Sequence, residues 1–124
     1  MTEEKQEDIV KARTYARQQL IEGWDQNTMD EGCIMIVGVG ALGCEIAKDF
    51  ALMGIGKMIL VDLDTIETSN LSRQMLFKPG DEGRYKAEVA AERLKEMNPF
   101  LDVEFYNQKL QQLPSSVYEE ADVV

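Results

Sequence analysis

The strongest constraint on the fold is a glycine loop that stands between two apolar stretches. Residues 38–43 read Gly-Val-Gly-Ala-Leu-Gly, with an apolar run before them and a helix-forming stretch after them. In this setting Gly38 permits a tight turn, Gly40 lets a phosphate approach the backbone, and Gly43 lets the helix pack on the strand. The N-terminus of the helix then offers unpaired N–H groups to an anion. The sequence therefore predicts a βαβ nucleotide-binding unit.

A second apolar run leads into two carboxylates. Residues 57–61 are almost wholly apolar, which is typical of a strand buried on both faces. Asp62 follows at the usual spacing for an acidic residue that binds ribose hydroxyls. Asp64 could help to hold a metal, orient a loop or cap a turn. The glycine loop and Asp62 do not by themselves distinguish ATP from NAD or FAD.

The pattern of apolar residues predicts the remaining elements. Short apolar stretches typical of strands fall at residues 33–37, 57–61, 102–106 and, as the start of a fourth strand, 121–124. Helices are predicted at residues 3–22, 41–53, 84–97 and 114–120, and the first of them carries Ile9, Ala12, Ala16 and Leu20 along one face. Polar or irregular connections are predicted at residues 24–27, 65–82 and 107–112.

Strands that alternate with helices indicate an α/β fold, here a Rossmann-like parallel sheet with flanking helices, preceded by an N-terminal helix. Residues 1–32 are predicted to form that helix and a connector, and residues 33–124 the first part of the nucleotide-binding domain. A natural domain rarely ends within a core strand, because the apolar edge would be uncovered. We therefore expect the sheet to be incomplete in these 124 residues.

The net charge limits the classes of partner. The chain carries 23 acidic and 13 basic residues, a formal net charge of -10. This acidity argues against a nucleic acid or an anionic membrane surface as a partner, and no apolar run approaches the roughly 18 residues of a membrane span. A phosphate site in such a chain must be basic locally. One short segment meets this need with Arg73, Lys78, Arg84 and Lys86.

The chain has two cysteines, Cys33 and Cys44, and no histidine. A histidine-based catalytic triad is therefore excluded within this chain. Two cysteines supply neither a disulfide framework nor a metal-ligand pattern, and both are expected to be small buried residues rather than nucleophiles. Reduced thiols favour a cytoplasmic protein.

Polar residues suited to phosphate lie between the second strand and the next helix. Arg73 offers a planar fork to phosphate oxygens, and Asn70 offers an uncharged amide. Lys86 is placed in the first turn of a helix, where a cation is unfavourable unless an anion binds there. Each of these could instead be a solvated polar side chain, as could Arg17 on the N-terminal helix.

Together these residues resemble the ubiquitin-activating enzyme superfamily, including its ThiF and MoeB relatives in thiamine and molybdopterin biosynthesis. The resemblance spans nearly the whole chain, and its most specific element is S-N-L-x-R-Q after D-x-D. The matching residues, in chain order, are Arg17-Gln18, Gly38 to Gly43 with Cys44-Glu45, Asp62 and Asp64, Ser69 to Leu71 with Arg73-Gln74, Gly83 with Lys86-Ala87, and Asn98-Pro99.

The resemblance implies a site for ATP. Asp62 would bind the ribose, and Asn70, Arg73 and Lys86 would hold and polarise the phosphates. Arg17 would act in trans, as an arginine finger in a partner subunit's site, so Arg17, Arg73 and Lys86 are the predicted catalytic residues. The full predicted ATP-binding set is Gly38, Gly40, Gly43, Asp62, Asp64, Asn70, Arg73, Gln74 and Lys86.

The reaction implied by the resemblance is acyl adenylation of the C-terminal glycine of a ubiquitin-like protein, with a homodimer or pseudo-dimer as the enzyme. The family's Mg²⁺-binding aspartate, zinc-binding Cys-x-x-C pairs and thioester cysteine are expected beyond Val124, and Cys33 and Cys44 do not match them. These 124 residues alone are accordingly not expected to turn over ATP.

Three alternatives remain open at this point. A sulfur-carrier adenylyltransferase of the ThiF or MoeB type would use the same residues. An NAD-dependent oxidoreductase would share the glycine loop and Asp62 but would have no use for Asn70, Arg73 and Lys86. A non-catalytic half-subunit would keep the arginine finger and lose the phosphate-binding set, which is intact here.

Overall fold

The structure is a computed structural model that describes residues 2–72 and 76–124, apart from the side chains at positions 8, 12, 19 and 72. The helices are α1 (Glu3–Thr14), α2 (Gln26–Glu31), α3 (Ala41–Met53), α4 (Lys86–Met97) and α5 (Ser115–Glu119). The strands are β1 (Cys33–Val37), β2 (Lys57–Val61) and β3 (Asp102–Tyr106). Short 3-10 turns lie at Gln18–Leu20, Thr68–Ser72 and Leu110–Gln112.

The strands form a parallel sheet in the order β1-β2-β3. β2 is therefore central, and its residues from Met58 to Val61 are buried, as the apolar run predicts. The chain passes through α3 between β1 and β2 and through α4 before β3. The predicted α/β class, with a Rossmann-like parallel sheet and flanking helices, is confirmed.

The last residues of the chain pair with the other edge of β1. Val123 forms a parallel bridge with Ile34, and the Met35 N–H donates to the Val123 carbonyl at 2.8 Å. The predicted fourth strand begins here as this bridge. Strand order therefore reverses at β1, and nucleotides bind α/β sheets at such a reversal, outside the carboxyl ends of the strands.

Side chains along the strands alternate between two apolar layers, as the pleat requires. One layer lies under α3 and α4, and its members include Ile34, Ile36, Met58, Leu60, Cys44, Ala47, Ala87, Ala90 and Leu94. The other layer lies on the α5 side of the sheet and contains Cys33, Met35, Ile59, Val61 and Leu113. The sheet is thus covered on both faces, which leaves its carboxyl edge as the place for a ligand.

Gly43 lies where α3 packs most closely on the glycine loop. A Cβ atom on Gly43 would collide with the carbonyl oxygen of Gly38. We expect Gly43→Ala to lower the free energy of unfolding by about 2–3 kcal/mol, because the helix and the loop would have to separate. Chemical denaturation of the natural protein that carries this chain, followed by circular dichroism, measures the change.

Gly40→Ala is the matched control for this substitution. A Cβ atom on Gly40 would meet no atom within 4 Å, so its free energy of unfolding should stay within about 1 kcal/mol of the wild-type value. Equal stability of the Gly43 and Gly40 variants would contradict the close packing of α3 on the loop.

The N-terminal helix is shorter than the sequence predicts. α1 ends at Thr14 rather than near residue 22, because Tyr15 leaves the helical conformation and is buried at 4% exposure. The predicted apolar face does not form on one helix, since Ala16 and Leu20 lie beyond the end of α1; Ile9 is 41% and Leu20 85% exposed. Arg17 consequently follows α1 and caps the 3-10 turn that begins at Gln18. The placement of Arg17 on the N-terminal helix was therefore wrong.

Two predicted connections contain regular structure. Asp25 caps α2 by accepting hydrogen bonds from the N–H groups of Asn27 and Thr28, so the stretch predicted as a polar connection at residues 24–27 begins a helix. The predicted loop at residues 107–112 contains the Leu110–Gln112 turn. Both are short, local features that an apolar periodicity does not detect.

The long stretch predicted as irregular, residues 65–82, is held together at its ends. Thr65 and Tyr85 form an antiparallel bridge. The Ile66 N–H donates to the Arg84 carbonyl at 2.8 Å, and the Gly83 N–H donates to the Ile66 carbonyl at 2.9 Å. α4 begins at Lys86 rather than at residue 84 because this pairing keeps the preceding backbone extended.

Candidate nucleotide site

The glycine loop lies at the carboxyl end of β1 and leads into the N-terminus of α3. Gly38 has a φ of 96°, a conformation that favours glycine, and its N–H donates to the Val61 carbonyl at 2.8 Å. Gly40 caps α3 without a side-chain hydrogen bond, and the space next to its Cα is open. The first N–H groups of α3 therefore remain available to an anion, and the open space lets that anion reach the backbone.

Asp62 connects the end of β2 to the glycine loop. Its Oδ2 accepts a hydrogen bond from the Val39 N–H at 2.6 Å, and its Oδ1 accepts one from the Asp64 N–H at 2.8 Å. An ionised carboxylate has about four acceptor positions, so two remain for the hydroxyls of a ribose. The structure thus places Asp62 beside the loop, and it leaves the Asp64 side chain exposed.

Lys86 is the first residue of α4 and lies beside the same edge of the sheet. Its N–H donates to the Asp64 carbonyl at 3.0 Å. The residue is only 9% exposed, and no carboxylate in residues 2–72 or 76–124 forms an ion pair or hydrogen bond with its ammonium group. A buried cation without an anion is unfavourable, so this position suits a ligand that brings the negative charge.

Asn70 is buried at 8% exposure within the Thr68–Ser72 turn. Its Oδ1 accepts a hydrogen bond from the Glu67 N–H at 2.8 Å, which fixes the orientation of the amide. No acceptor for its Nδ2 occurs in the described ranges. The amide is therefore oriented to donate. The predicted phosphate ligands Arg73 and Gln74 lie outside the described residues.

Cys44 is fully buried between these segments. Its thiol donates to the Val39 carbonyl at 3.7 Å. Burial raises the pKa of this thiol to about 11, the Leu76 N–H and the Lys86 ammonium group lower it, and Asp62 raises it. The charges of Lys86 and Asp62 therefore both lie near one buried atom. Burial also raises the pKa of Cys33, and the prediction that both cysteines are buried is confirmed.

A cleft of about 360 Å³ opens beside Asp62. Its walls are the ends of β1 and β2 and the segment that follows β3, and its lining is Val37, Gly38, Val61 to Asp64 and Gln108 to Gln111. The sequence analysis did not single out residues 108–111. Their place directly after a parallel strand is the signal that could have found them, because the carboxyl ends of such strands meet at one edge.

Neither Arg17 nor Arg84 joins the glycine loop, Asp62 and Lys86. The side chain of Gln18 bonds to the Met53 carbonyl at 2.7 Å, so Arg17 lies near the C-terminal end of α3. The glycine loop is at the other end of this 13-residue helix, about 20 Å away at 1.5 Å per residue. Arg84 pairs with Glu92 at 2.7 Å, so it does not add to the basic character predicted for the site.

Neither a metal-binding cluster nor a membrane-spanning helix occurs among the described residues. The described part of the chain contains no group of three or more histidine, cysteine, aspartate or glutamate side chains that could hold a metal ion. It also contains no helix with the length and apolar character that a bilayer crossing requires.

The amino-acid sequence of the chain is similar to that of one protein family and of several known proteins. The family model of the ThiF family matches residues 12–124. Over 126 aligned positions the chain is 34% identical to ubiquitin-like modifier-activating enzyme 1 of Mus musculus. The alignment covers 97% of this chain and 12% of that protein. Over 91 positions it is 44% identical to the Nedd8-activating enzyme E1 catalytic subunit of Drosophila melanogaster, with coverage of 73% and 20%.

Solved structures with a similar fold come from Escherichia coli. A complex of MccB with ATP superimposes with a TM-score of 0.67 at 32% identity, over 77% of this chain and 27% of that one. The tRNA N6-threonylcarbamoyladenosine dehydratase TcdA gives a TM-score of 0.75 at 28% identity, over 87% and 45%. The chain thus spans between 12% and 45% of the length of these four proteins.

Proposed function

This chain belongs to the ThiF family, and from that premise we propose that it binds ATP for the adenylation of the C-terminal glycine of a ubiquitin-like protein. It would supply the first half of the adenylation domain of an activating enzyme. The named relatives that activate ubiquitin-like proteins favour this substrate class. Its two cysteines form no disulfide, which suits a cytoplasmic enzyme.

The observation that carries the proposal is the burial of Lys86 without a carboxylate partner in the described residues. This residue lies next to the glycine loop and Asp62. A triphosphate would supply the missing negative charge, and Asn70 and the N-terminus of α3 would donate hydrogen bonds to it. Asp62 and the cleft beside residues 108–111 would take the ribose and the base.

The proposed chemistry needs little from the protein except position and charge. The glycine carboxylate is already an anion, so its oxygen attacks the α-phosphorus without a general base. The new O–P bond forms as the bond to the β-phosphate oxygen breaks, and pyrophosphate leaves. Lys86, Arg73 and an arginine from a partner subunit would neutralise the developing charge, together with Mg²⁺ held by the phosphates. The absence of histidine from the chain is compatible with this scheme.

The position of Arg17 supports a dimer or pseudo-dimer as the active form. Arg17 is exposed, and it lies about 20 Å from the glycine loop of its own chain, because the length of α3 separates them. It cannot contact the phosphates in its own site in this arrangement. We therefore propose that Arg17 serves the site of a second subunit.

The alternatives differ in what they would bind. A sulfur-carrier adenylyltransferase would use the same ATP site with a different protein substrate. An NAD-dependent oxidoreductase would use the glycine loop and Asp62, but it would have no use for Asn70, Arg73 and Lys86 together. The Lys86 observation therefore favours ATP.

The test is ATP–pyrophosphate exchange by the natural protein that carries this chain, measured with a panel of ubiquitin-like proteins and sulfur-carrier proteins. We expect exchange that depends on one of the ubiquitin-like proteins and stops when its terminal glycine is removed. Titration calorimetry should show binding of ATP and none of NAD. Binding of NAD without exchange would refute the proposal, and exchange with a sulfur carrier alone would replace the substrate class.

A further inference from the structure

The segment around Arg17 is attached to the domain by a half-buried amide, that of Gln18. The Gln18 Nε2 donates to the Met53 carbonyl at 2.7 Å and to the Gln26 Oε1 at 2.5 Å. The Trp24 Nε1 donates to the same Gln26 oxygen at 3.0 Å. Gln18 thereby joins its own turn to the last turn of α3 and the first turn of α2.

Tyr15 is a second attachment on the other side of Arg17. It is 4% exposed, and a Cβ atom on Gly54 would come within 2.9 Å of its Cζ, so the ring packs directly on that backbone. Burial raises the pKa of its hydroxyl, and the nearby Asn98 side chain lowers it. The Asn98 Nδ2 in turn donates to the Ala51 carbonyl at 2.9 Å. Tyr15 is therefore joined to the C-terminal ends of both α3 and α4.

The residues beside these attachments face solvent. Arg17 is exposed, Leu20 is 85% exposed and Ile21 is 58% exposed. No ion pair or side-chain hydrogen bond of Arg17 occurs in residues 2–72 and 76–124. A long side chain thus extends from a short backbone segment that is fixed at both ends.

We propose that Tyr15 and Gln18 are positioning residues that hold the backbone of Arg17 so that its guanidinium reaches the phosphates in a second subunit's site. This inference rests on the proposed function, in which Arg17 acts in trans. An arginine side chain carries about 2 kcal/mol of rotamer entropy. A backbone that also moved would add to this entropy, and misplacement of a catalytic group by about 1 Å can lower a rate about 10²-fold.

The test compares two variants. Gln18→Leu removes the amide hydrogen bonds and keeps a side chain of similar volume, and Gln6→Leu makes the same change on the exposed face of α1. We expect Gln18→Leu to lower kcat for adenylation by about 10-fold or more and to leave the Kd for ATP unchanged. Gln6→Leu should behave as wild-type. Tyr15→Phe keeps the ring packing and removes the hydroxyl, so it should give a smaller loss of kcat in the same direction.

Subunit mixing distinguishes a positioning role from damage to the fold. Gln18→Leu subunits retain Lys86, and in a mixed dimer with Lys86→Ala subunits they receive a correctly held Arg17. Their sites should therefore regain activity, whereas a site damaged by poor folding would not. No recovery after verified subunit exchange, or normal kcat in Gln18→Leu, would overturn the inference. If Arg17→Ala were itself fully active, the trans role in the proposed function would fail instead.

Discussion

Replacing Lys86 with alanine is expected to lower ATP-dependent adenylation by about 10²-fold or more, by analogy with the loss of one preorganised charge-stabilising donor. Lys86 is a buried residue at the start of α4, and its backbone N–H donates to the Asp64 carbonyl. The substitution would remove the positive charge that is proposed to face the phosphates. Pyrophosphate exchange measures the loss, and the same result is expected for Arg73→Ala, which the sequence alone places in this site.

The fold should survive this substitution. The Lys86 side chain forms no ion pair with any described carboxylate, so the free energy of unfolding should not fall. Lys5→Ala is the matched control, since it removes the same charge from an exposed position on α1, outside the basic segment, and should leave exchange unchanged. Near-normal exchange in both Lys86→Ala and Arg73→Ala would refute the phosphate role assigned to them.

Arg17→Ala should abolish adenylation while ATP still binds. The physical reason is that the length of α3 separates Arg17 from the glycine loop of its own chain, so a nucleotide bound at that loop would not touch it. An arginine supplied by a partner subunit acts on the transition state by neutralising charge across the interface. Calorimetry with ATP and pyrophosphate exchange on the same preparation separate binding from chemistry.

Mixing the two inactive variants gives the decisive result. Random pairing of Arg17→Ala and Lys86→Ala homodimers makes half of the dimers mixed, and each mixed dimer has one intact site and one doubly defective site. Activity should therefore recover to about a quarter of the wild-type value, as expected for a finger that acts across the interface. If subunit exchange is verified and no activity returns, Arg17 serves its own subunit or no site.

The sheet and the helix after the glycine loop could be predicted from the sequence because their signals are local. The apolar runs place β1, β2 and β3 at the residues where the structure has them, and α3 begins after the glycines and ends before Gly54 as expected. Gly54 has a φ of 93°, which ends the helix.

The end of α1 could not be predicted in this way. Residues 16–20 are good helix formers or neutral, so local propensity extends the helix past Thr14. Burial of Tyr15 against Gly54 and Asn98 competes with that propensity and wins. The partners of Tyr15 lie about 40 and 80 residues away, and a single sequence does not show such contacts.

For the site, the sequence predicts a set of residues and does not show how each of them is held. Asp62, Asn70 and Lys86 were chosen by spacing and by resemblance. The hydrogen bonds from Val39 to Asp62 and from Lys86 to Asp64 could not be read from that pattern, and neither could the wall at residues 108–111. These depend on strands that become neighbours only in the folded sheet.

The pairing of residues 65–66 with residues 83–85 also bears on how this chain can vary. It closes the intervening stretch at its base, so Asp64 and Lys86 keep their places whatever the length of that stretch. Closure entropy grows only with the logarithm of length, and an insertion of four residues would cost a few tenths of a kcal/mol. Homologous chains can therefore lengthen this segment after Gln74, and with it the surface shown to a partner, while Asp64, Asn70, Arg73 and Lys86 are all retained.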